Sequence, residues 1–225
     1  MRREMAKIHI VGAGPGSPEY VTPIARKIVQ KAQLVIGSER ILELFRSDIK
    51  GEALALTAKN FKQIIRYAVE CAGKGVNVAL ISTGDPGFAG LLGTVAKSVD
   101  KDIDLEVTPG ISAVQVCAAR LRISWDDAVL ISFHEGADEH GKRRLLEAVK
   151  SGKTIIILPD PKCFTPKDIA QYLISHGANG ETPVFICENL TLEDEKVSRG
   201  TLRKVPLQGQ GTLCVMAIIP SVKPG

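Results

Sequence analysis

No stretch of this sequence stays apolar long enough to cross a bilayer: the longest uninterrupted run, Leu213 to Pro220, falls far short of the roughly 20 residues a spanning helix needs. The N-terminal MRREMAKIHIVGAG carries basic residues but reaches glycine too soon to form the apolar segment of a secretory signal, so a cytoplasmic protein without membrane attachment is expected. Charge of one sign is also scarce. Against 25 Asp and Glu stand 29 Lys and Arg, a net charge of +4, which is too little for a phosphate-tracking stripe; nucleic acid is not expected as a partner, whereas a small anion would suit. The five cysteines form no C-x-x-C pair and do not cluster with histidine, which excludes the usual zinc and disulfide frameworks. Cys187 and Cys214 sit inside apolar runs and read as core thiols.

The common catalytic signatures are missing as well. No glycine loop leads into Lys-Ser or Lys-Thr in the frame a phosphate-binding loop requires, and Gly110-Ile-Ser112-Ala-Val114 lacks the second glycine of a nucleophile elbow. HEGADEH, His134 to His140, spaces its histidines six apart around a glycine, which does not suit a metal-binding helix, and no metal is expected. GAGPGSP, Gly12 to Pro18, begins like a dinucleotide fingerprint, but Ser17 stands where the third glycine belongs and the next helix cap comes only at Thr22. Glu39, after the second strand, keeps a nicotinamide-dependent oxidoreductase as the alternative from another class.

What is present is an α/β pattern. With 225 residues and 44% apolar content the chain has material for two compact domains. Strand-like runs at Ile8–Val11, Leu34–Gly37, Val76–Ser82 and Leu105–Thr108 alternate with amphipathic segments, which predicts a mostly parallel sheet. Thr22-Pro23 caps a helix reaching about Ala32, and another is expected over Lys59 to Ala72. In the second half only two helices, about Lys142–Lys150 and Pro166–His176, separate five strand-like runs, so a mixed sheet with a hairpin near its end is expected. The domain boundary is placed after a helix starting at Ser112, giving domains 1–122 and 123–225.

Three glycine-proline turns, GPGSP, GDPGF and TPGIS, each end a strand of the first half. Loops at the carboxyl ends of parallel strands gather at one edge, where such sheets bind ligands, so the three turns are expected to converge. Glycine allows close backbone approach and proline stiffens the turn beforehand. Taken singly, each is an ordinary turn, and Asp85 alone reads as a turn-stabilising aspartate.

GAGPGSPEYVTPIA, STGDPGF and TPGISAVQ, in this order and spacing, resemble the tetrapyrrole methyltransferases, and the likeness continues through TIIILPDP, VFICENLTLEDEKVSRGTL and LCVMAIIP. The resemblance implies a two-domain α/β fold with a cleft for S-adenosylmethionine between the domains. The stretch AARLRISWDDAVLISFH, Ala118 to His134, is most similar to the branch that methylates C5 of a cobalt-precorrin in cobalamin biosynthesis. By the same resemblance, Pro15, Thr83, Gly84, Asp85, Phe88, Ser112, Ala113, Pro159, Leu190 and Thr212 line the cofactor. His134 and Arg120 are the substrate-binding candidates, with Arg122, Lys142, Arg143 and Arg144 as further cations for a polycarboxylate macrocycle. The resemblance also implies a homodimer, and the short length resembles the family's stand-alone form, in which a separate partner protein methylates C15 and decarboxylates. Another tetrapyrrole carbon or another methyl acceptor is the alternative within the fold. Methyl transfer from a sulfonium needs no side-chain nucleophile, in keeping with the missing hydrolytic signatures.

Overall fold

The computed structural model describes residues 7–99, 103–134, 136–206 and 213–220. The chain divides into two compact units, Met1–Ser112 and Ala113–Gly225. In the first, β1 (Lys7–Gly12), β2 (Leu34–Gly37), β3 (Glu52–Ala55), β4 (Val78–Ser82) and β5 (Asp104–Thr108) form an all-parallel sheet in the order β3-β2-β4-β1-β5. Between them run α1 (Pro23–Lys31), α2 (Glu39–Leu44), α3 (Phe61–Gly73) and the short α4 (Leu92–Val95). Every residue of β4 is buried, as a strand covered on both faces requires. On one face Val11, Val35 and Ile81 pack with Ala25, Val29, Ile41 and Phe45; on the other Ile8, Ile10, Ile36 and Leu80 pack with Ile65, Ala68 and Ala72.

The strand order matters for function. The chain leaving β1 passes β4 to reach β2, while the chain leaving β4 passes β1 to reach β5. The connections therefore diverge at the carboxyl ends of β1 and β4, where doubly wound sheets open a crevice. Helix α1 begins as the sequence predicts, with the Thr22 hydroxyl accepting the Ala25 N–H at 3.2 Å and Pro23 at the first position. A 3-10 turn, Pro18–Tyr20, separates it from the glycines, so no helix N-terminus opens at GAGPG. The sequence reading missed β3, because EALA carries one large apolar side chain and Glu52 and Ala53 are exposed.

The second unit contains α5 (Ala113–Leu121), β6 (Val129–Ser132), α6 (Glu139–Lys150), β7 (Ile155–Leu158), α7 (Pro166–Ser175), β8 (Pro183–Glu188), β9 (Lys196–Thr201) and β10 (Cys214–Ile218). Its sheet runs β6-β7-β10-β8-β9, with only β6 and β7 parallel neighbours. This is the mixed sheet with a terminal hairpin that the sequence predicts, except that β10 inserts at the centre. The sequence reading placed the helix after Ser112 in the first domain, with the boundary at 122/123; α5 instead packs on β7 and β10 and belongs to the second unit. Inside, Phe133 meets Phe164 edge-on at 4.9 Å over Leu145, Ile157 and Ile169. Among the described residues no helix is long and apolar enough to cross a membrane.

One part-buried ion pair ties α1 to the turn after α2, and its guanidinium also reaches the loop after β1. Arg26 Nη1 donates to Asp48 Oδ2 at 2.5 Å, Gln30 Nε2 to Oδ1 at 2.7 Å, and Arg26 Nη2 to the Pro18 carbonyl at 3.1 Å. Asp48 is 6% exposed, so removing it leaves a part-buried guanidinium without its carboxylate. Asp48→Ala is expected to destabilise by about 3 kcal/mol, measured as a lower urea midpoint at unchanged slope.

Candidate active site

The three turns of the first unit interlock. After β1, the Gly14 N–H donates to the Gly84 carbonyl at 3.3 Å and the Gly84 N–H returns a bond to the Gly14 carbonyl at 2.8 Å. Both glycines lie in the left-handed region, at φ 80° and 66°. Behind them Gly12 and Gly110 pack backbone to backbone: a methyl carbon at Gly110 would stand 2.3 Å from the Gly84 carbonyl oxygen and 2.7 Å from Gly12 Cα. The Asp85 carboxylate closes the arrangement. Its Oδ2 accepts the Gly110 N–H at 3.1 Å, and its Oδ1 accepts the Gly87 N–H at 2.8 Å. Both oxygens therefore serve backbone amides of the turns. Ser82, 3% exposed, adds an acceptor for the Leu91 N–H at 3.3 Å.

Around this knot, Thr83 is exposed, Phe88 half-buried, Pro15 buried and Ser112 buried. Pro15, Thr83, Gly84, Asp85, Phe88 and Ser112 thus belong to turns at one sheet edge, as the sequence predicts for the loops. The groups there are mainly backbone amides and carbonyls, with the exposed Thr83 and the Phe88 ring beside them, a set that suits a nucleoside.

The second unit has its own edge. Because β6, β7 and β8 run the same way, the residues that follow them, His134, Pro159 and Leu190, emerge on one side of the sheet. The approach to β10 arrives there too, with the Asn189 N–H bonded to the Leu213 carbonyl at 2.9 Å. Pro159 and Leu190 are buried; His134 is exposed, its N–H on Ser132 Oγ at 3.2 Å. Next to Pro159, the Asp160 carboxyl is held below its usual range by the N–H groups of Cys163 and Lys162. Ala113 opens α5, and Thr212 lies outside the described residues.

Arg120, exposed near the end of α5, carries an ion pair. Its Nε donates to Glu195 Oε1 at 2.5 Å and its Nη2 to Oε2 at 3.1 Å, a bidentate clamp on the loop that carries Leu190. Glu195 Oε2 also accepts the Thr191 N–H at 2.7 Å. The guanidinium first, and that amide after it, hold the Glu195 carboxyl below the usual carboxylate range. The sequence reading missed Glu195, since nothing in LTLEDE distinguishes it from Glu193. Of the other cations, Lys142 donates to Glu139 at 2.9 Å and sits over the Phe164 ring, and Arg144 faces the Leu130 carbonyl.

Cys117 and Cys187 are buried with their sulfurs 3.5 Å apart; their hydrogen bond, with burial, pushes the Cys117 thiol up and the same bond holds Cys187 down, while burial pushes Cys214 up to about 12. Among the described residues no group of three or more His, Cys, Asp or Glu side chains is placed to hold a metal.

The sequence profile of the Tetrapyrrole (Corrin/Porphyrin) Methylases matches residues 7–206. The chain belongs to this family. It is 40% identical, over 198 residues, to the probable cobalt-precorrin-7 C(5)-methyltransferase of Methanocaldococcus jannaschii, covering 88% of this chain and 90% of that protein. Among solved structures, the precorrin-6Y methylase of Archaeoglobus fulgidus superposes with a TM-score of 0.74 at 29% identity, covering 96% of this chain and 99% of that one. The uroporphyrin-III C-methyltransferase of Thermus thermophilus, solved with S-adenosylhomocysteine, shares the fold at a TM-score of 0.75 and 19% identity, covering 95% and 97%.

Three outcomes are expected of this methylase. Gly110→Ala should cost about 3 kcal/mol or more in chemical denaturation, because the clash is with backbone that cannot rotate away. Gly93→Ala, with open space around it inside α4, should be neutral or slightly stabilising. The depressed Glu195 carboxyl contributes stability that is complete above the ordinary glutamate range and is lost as pH falls through the lowered value. The gap in urea midpoint between wild type and Glu195→Gln should therefore hold at neutral pH and close below about pH 4.

Proposed function

We propose that this methylase transfers a methyl group from S-adenosylmethionine to C5 of a cobalt-precorrin in cobalamin biosynthesis. The identity of 40% with the probable C(5)-methyltransferase, sustained over 88% of the chain, carries this reading. The acceptor and ring position come from that relative. The interlocked turns of the first unit support the donor.

S-adenosylmethionine, when bound, supplies a methyl group on a sulfonium that leaves as a neutral thioether. The chain's own task is to bind, orient and exclude water, and positioning of this kind lowers a barrier by roughly 7 to 11 kcal/mol. Thr83, Gly84 and Phe88 with Pro15 and Ser112 line the donor from the first unit. By the family resemblance, Ala113, Pro159 and Leu190 are the second unit's donor candidates, and Thr212 is the weakest of the set. Asp85 works through the Gly110 and Gly87 amides, which hold the turns in place, rather than as a counter-charge. His134, exposed at a strand end, is the candidate to meet substrate; Arg120 is engaged by Glu195 and positions a loop. The nicotinamide alternative has less behind it, since α1 starts only at Pro23, beyond the 3-10 turn. The family resemblance further supports a cytoplasmic homodimer working beside a separate C15-methylating decarboxylase.

Incubation with a labelled methyl donor and a panel of corrin intermediates should place the label on C5; label on another carbon would keep the donor and defeat the acceptor. Calorimetry should show binding of S-adenosylhomocysteine and none of NAD, and the reverse would overturn the reading. Asp85→Ala should weaken S-adenosylhomocysteine binding roughly tenfold or more, and Asp85→Asn less, because the amide oxygen still accepts one of the two N–H groups.

A further inference from the structure

The loop after β8 is backbone-strained in a way its sequence does not explain. Asn189 and Thr191, flanking Leu190, both lie in the left-handed region, at φ 50° and 73°. Asparagine tolerates that conformation. Threonine, branched at Cβ, does not adopt it unless the surroundings compel it. The compelling contacts are visible. Glu195 Oε2 accepts the Thr191 N–H at 2.7 Å, Asn189 Nδ2 donates to Asp194 Oδ2 at 2.7 Å, and the Leu192 N–H bonds the Asn189 carbonyl at 2.9 Å. Glu195 is in turn gripped at both oxygens by Arg120 on α5. The strain therefore falls on the two residues that set the direction of Leu190, and the charged pair Arg120–Glu195 acts on them through the Thr191 N–H.

We propose that Arg120 and Glu195 are positioning residues that hold Thr191 in its left-handed conformation and thereby fix Leu190 where it meets the methyl donor. The inference rests on the reading of Leu190 as a donor contact. Strain at a ligand-lining loop is useful when it is settled before binding: a loop already held in its binding form loses no affinity to the fraction of time spent elsewhere. The pair therefore acts on donor affinity and not on the chemical step. Removing it should raise KM for the donor and the dissociation constant of S-adenosylhomocysteine together, while kcat at saturating donor changes little.

The test is a cycle between positions 195 and 191, read by calorimetry with S-adenosylhomocysteine and by initial rates. Glu195→Gln keeps a neutral acceptor but releases the guanidinium, and is expected to weaken binding roughly five- to thirty-fold with kcat within about twofold. Thr191→Gly alone should bind nearly as wild type. Thr191→Gly added to Glu195→Gln should recover most of the loss, because glycine takes the left-handed conformation unaided. Exchanging the charges, Arg120→Glu with Glu195→Arg, restores an ion pair but no acceptor for the Thr191 N–H, and should stay weak. If Glu195→Gln does not fold, Arg120→Gln reads the same quantity with the carboxylate left in place. Unchanged affinity in a variant that merely melts earlier would overturn the proposal, as would failure of the glycine to rescue. A wild-type chain that binds no S-adenosylhomocysteine would instead overturn the functional reading on which it rests.

Discussion

The close packing of three backbone turns around Gly12, Gly84 and Gly110 is the constraint on which the first unit's functional edge depends. Carbonyl and amide groups approach where a Cβ at Gly12 or Gly110 would stand, and the Asp85 carboxylate ties the turn after β4 to the turn after β5 through the Gly110 N–H. Because β1, β4 and β5 are adjacent parallel strands, the knot sits where their carboxyl ends meet and where the chain connections part to opposite sides. Moving one turn moves the other two. An edge of this kind offers a ligand fixed backbone dipoles at little cost in reorganisation, which flexible side chains cannot do.

The second unit reaches a comparable edge by a different route. Its sheet is not parallel throughout, yet inserting β10 between β7 and β8 leaves β6, β7 and β8 pointing the same way. The ends of three strands are thereby collected at one side, with α6 and α7 making the crossovers between them. The hairpin β8–β9 then returns the chain across the same edge, and its loop is what Arg120 clamps.

Much of this was legible because it is written in local chemistry. Thr22-Pro23 and Thr165-Pro166 announce helix starts, and Thr165 indeed forms a reciprocal cap with Asp168. The apolar runs mark the central strands, and three Gly-Pro turns after strands marked the first edge. What the sequence hid depends on contacts between distant residues. Edge strand β3 has too few apolar side chains to show a period, and α5 belongs to the second unit only because of what it packs against. Arg120 illustrates the limit most clearly: a cation near a strand-rich region invites a carboxylated ligand, but its carboxylate is Glu195, 75 residues further along. Composition cannot reveal that a charge is already matched.

Matched carboxylates recur near these edges and bear on what chemistry they perform, while Glu188, buried at the end of β8, is pushed up by that burial. Asp85 accepts two amides, Asp160 accepts two, and Glu195 accepts an amide and a guanidinium. Asp160 and Glu195 are thereby held below the usual carboxylate range, which makes each a poor general acid at neutral pH, and Asp85 is fixed in direction by its two amides. The thiols err the other way, Cys117 and Cys214 being pushed up and kept protonated. An edge built from satisfied carboxylates, protonated thiols and backbone dipoles has little to offer a hydrolysis, which must generate or shelter a nucleophile. It has what a displacement between two bound partners needs: rigid placement, with the reactivity residing in the donor's sulfonium and the acceptor's conjugated ring. Under that division of labour, the residues whose replacement matters most are those that hold the backbone in shape, and they are the ones this chain spends its charges on.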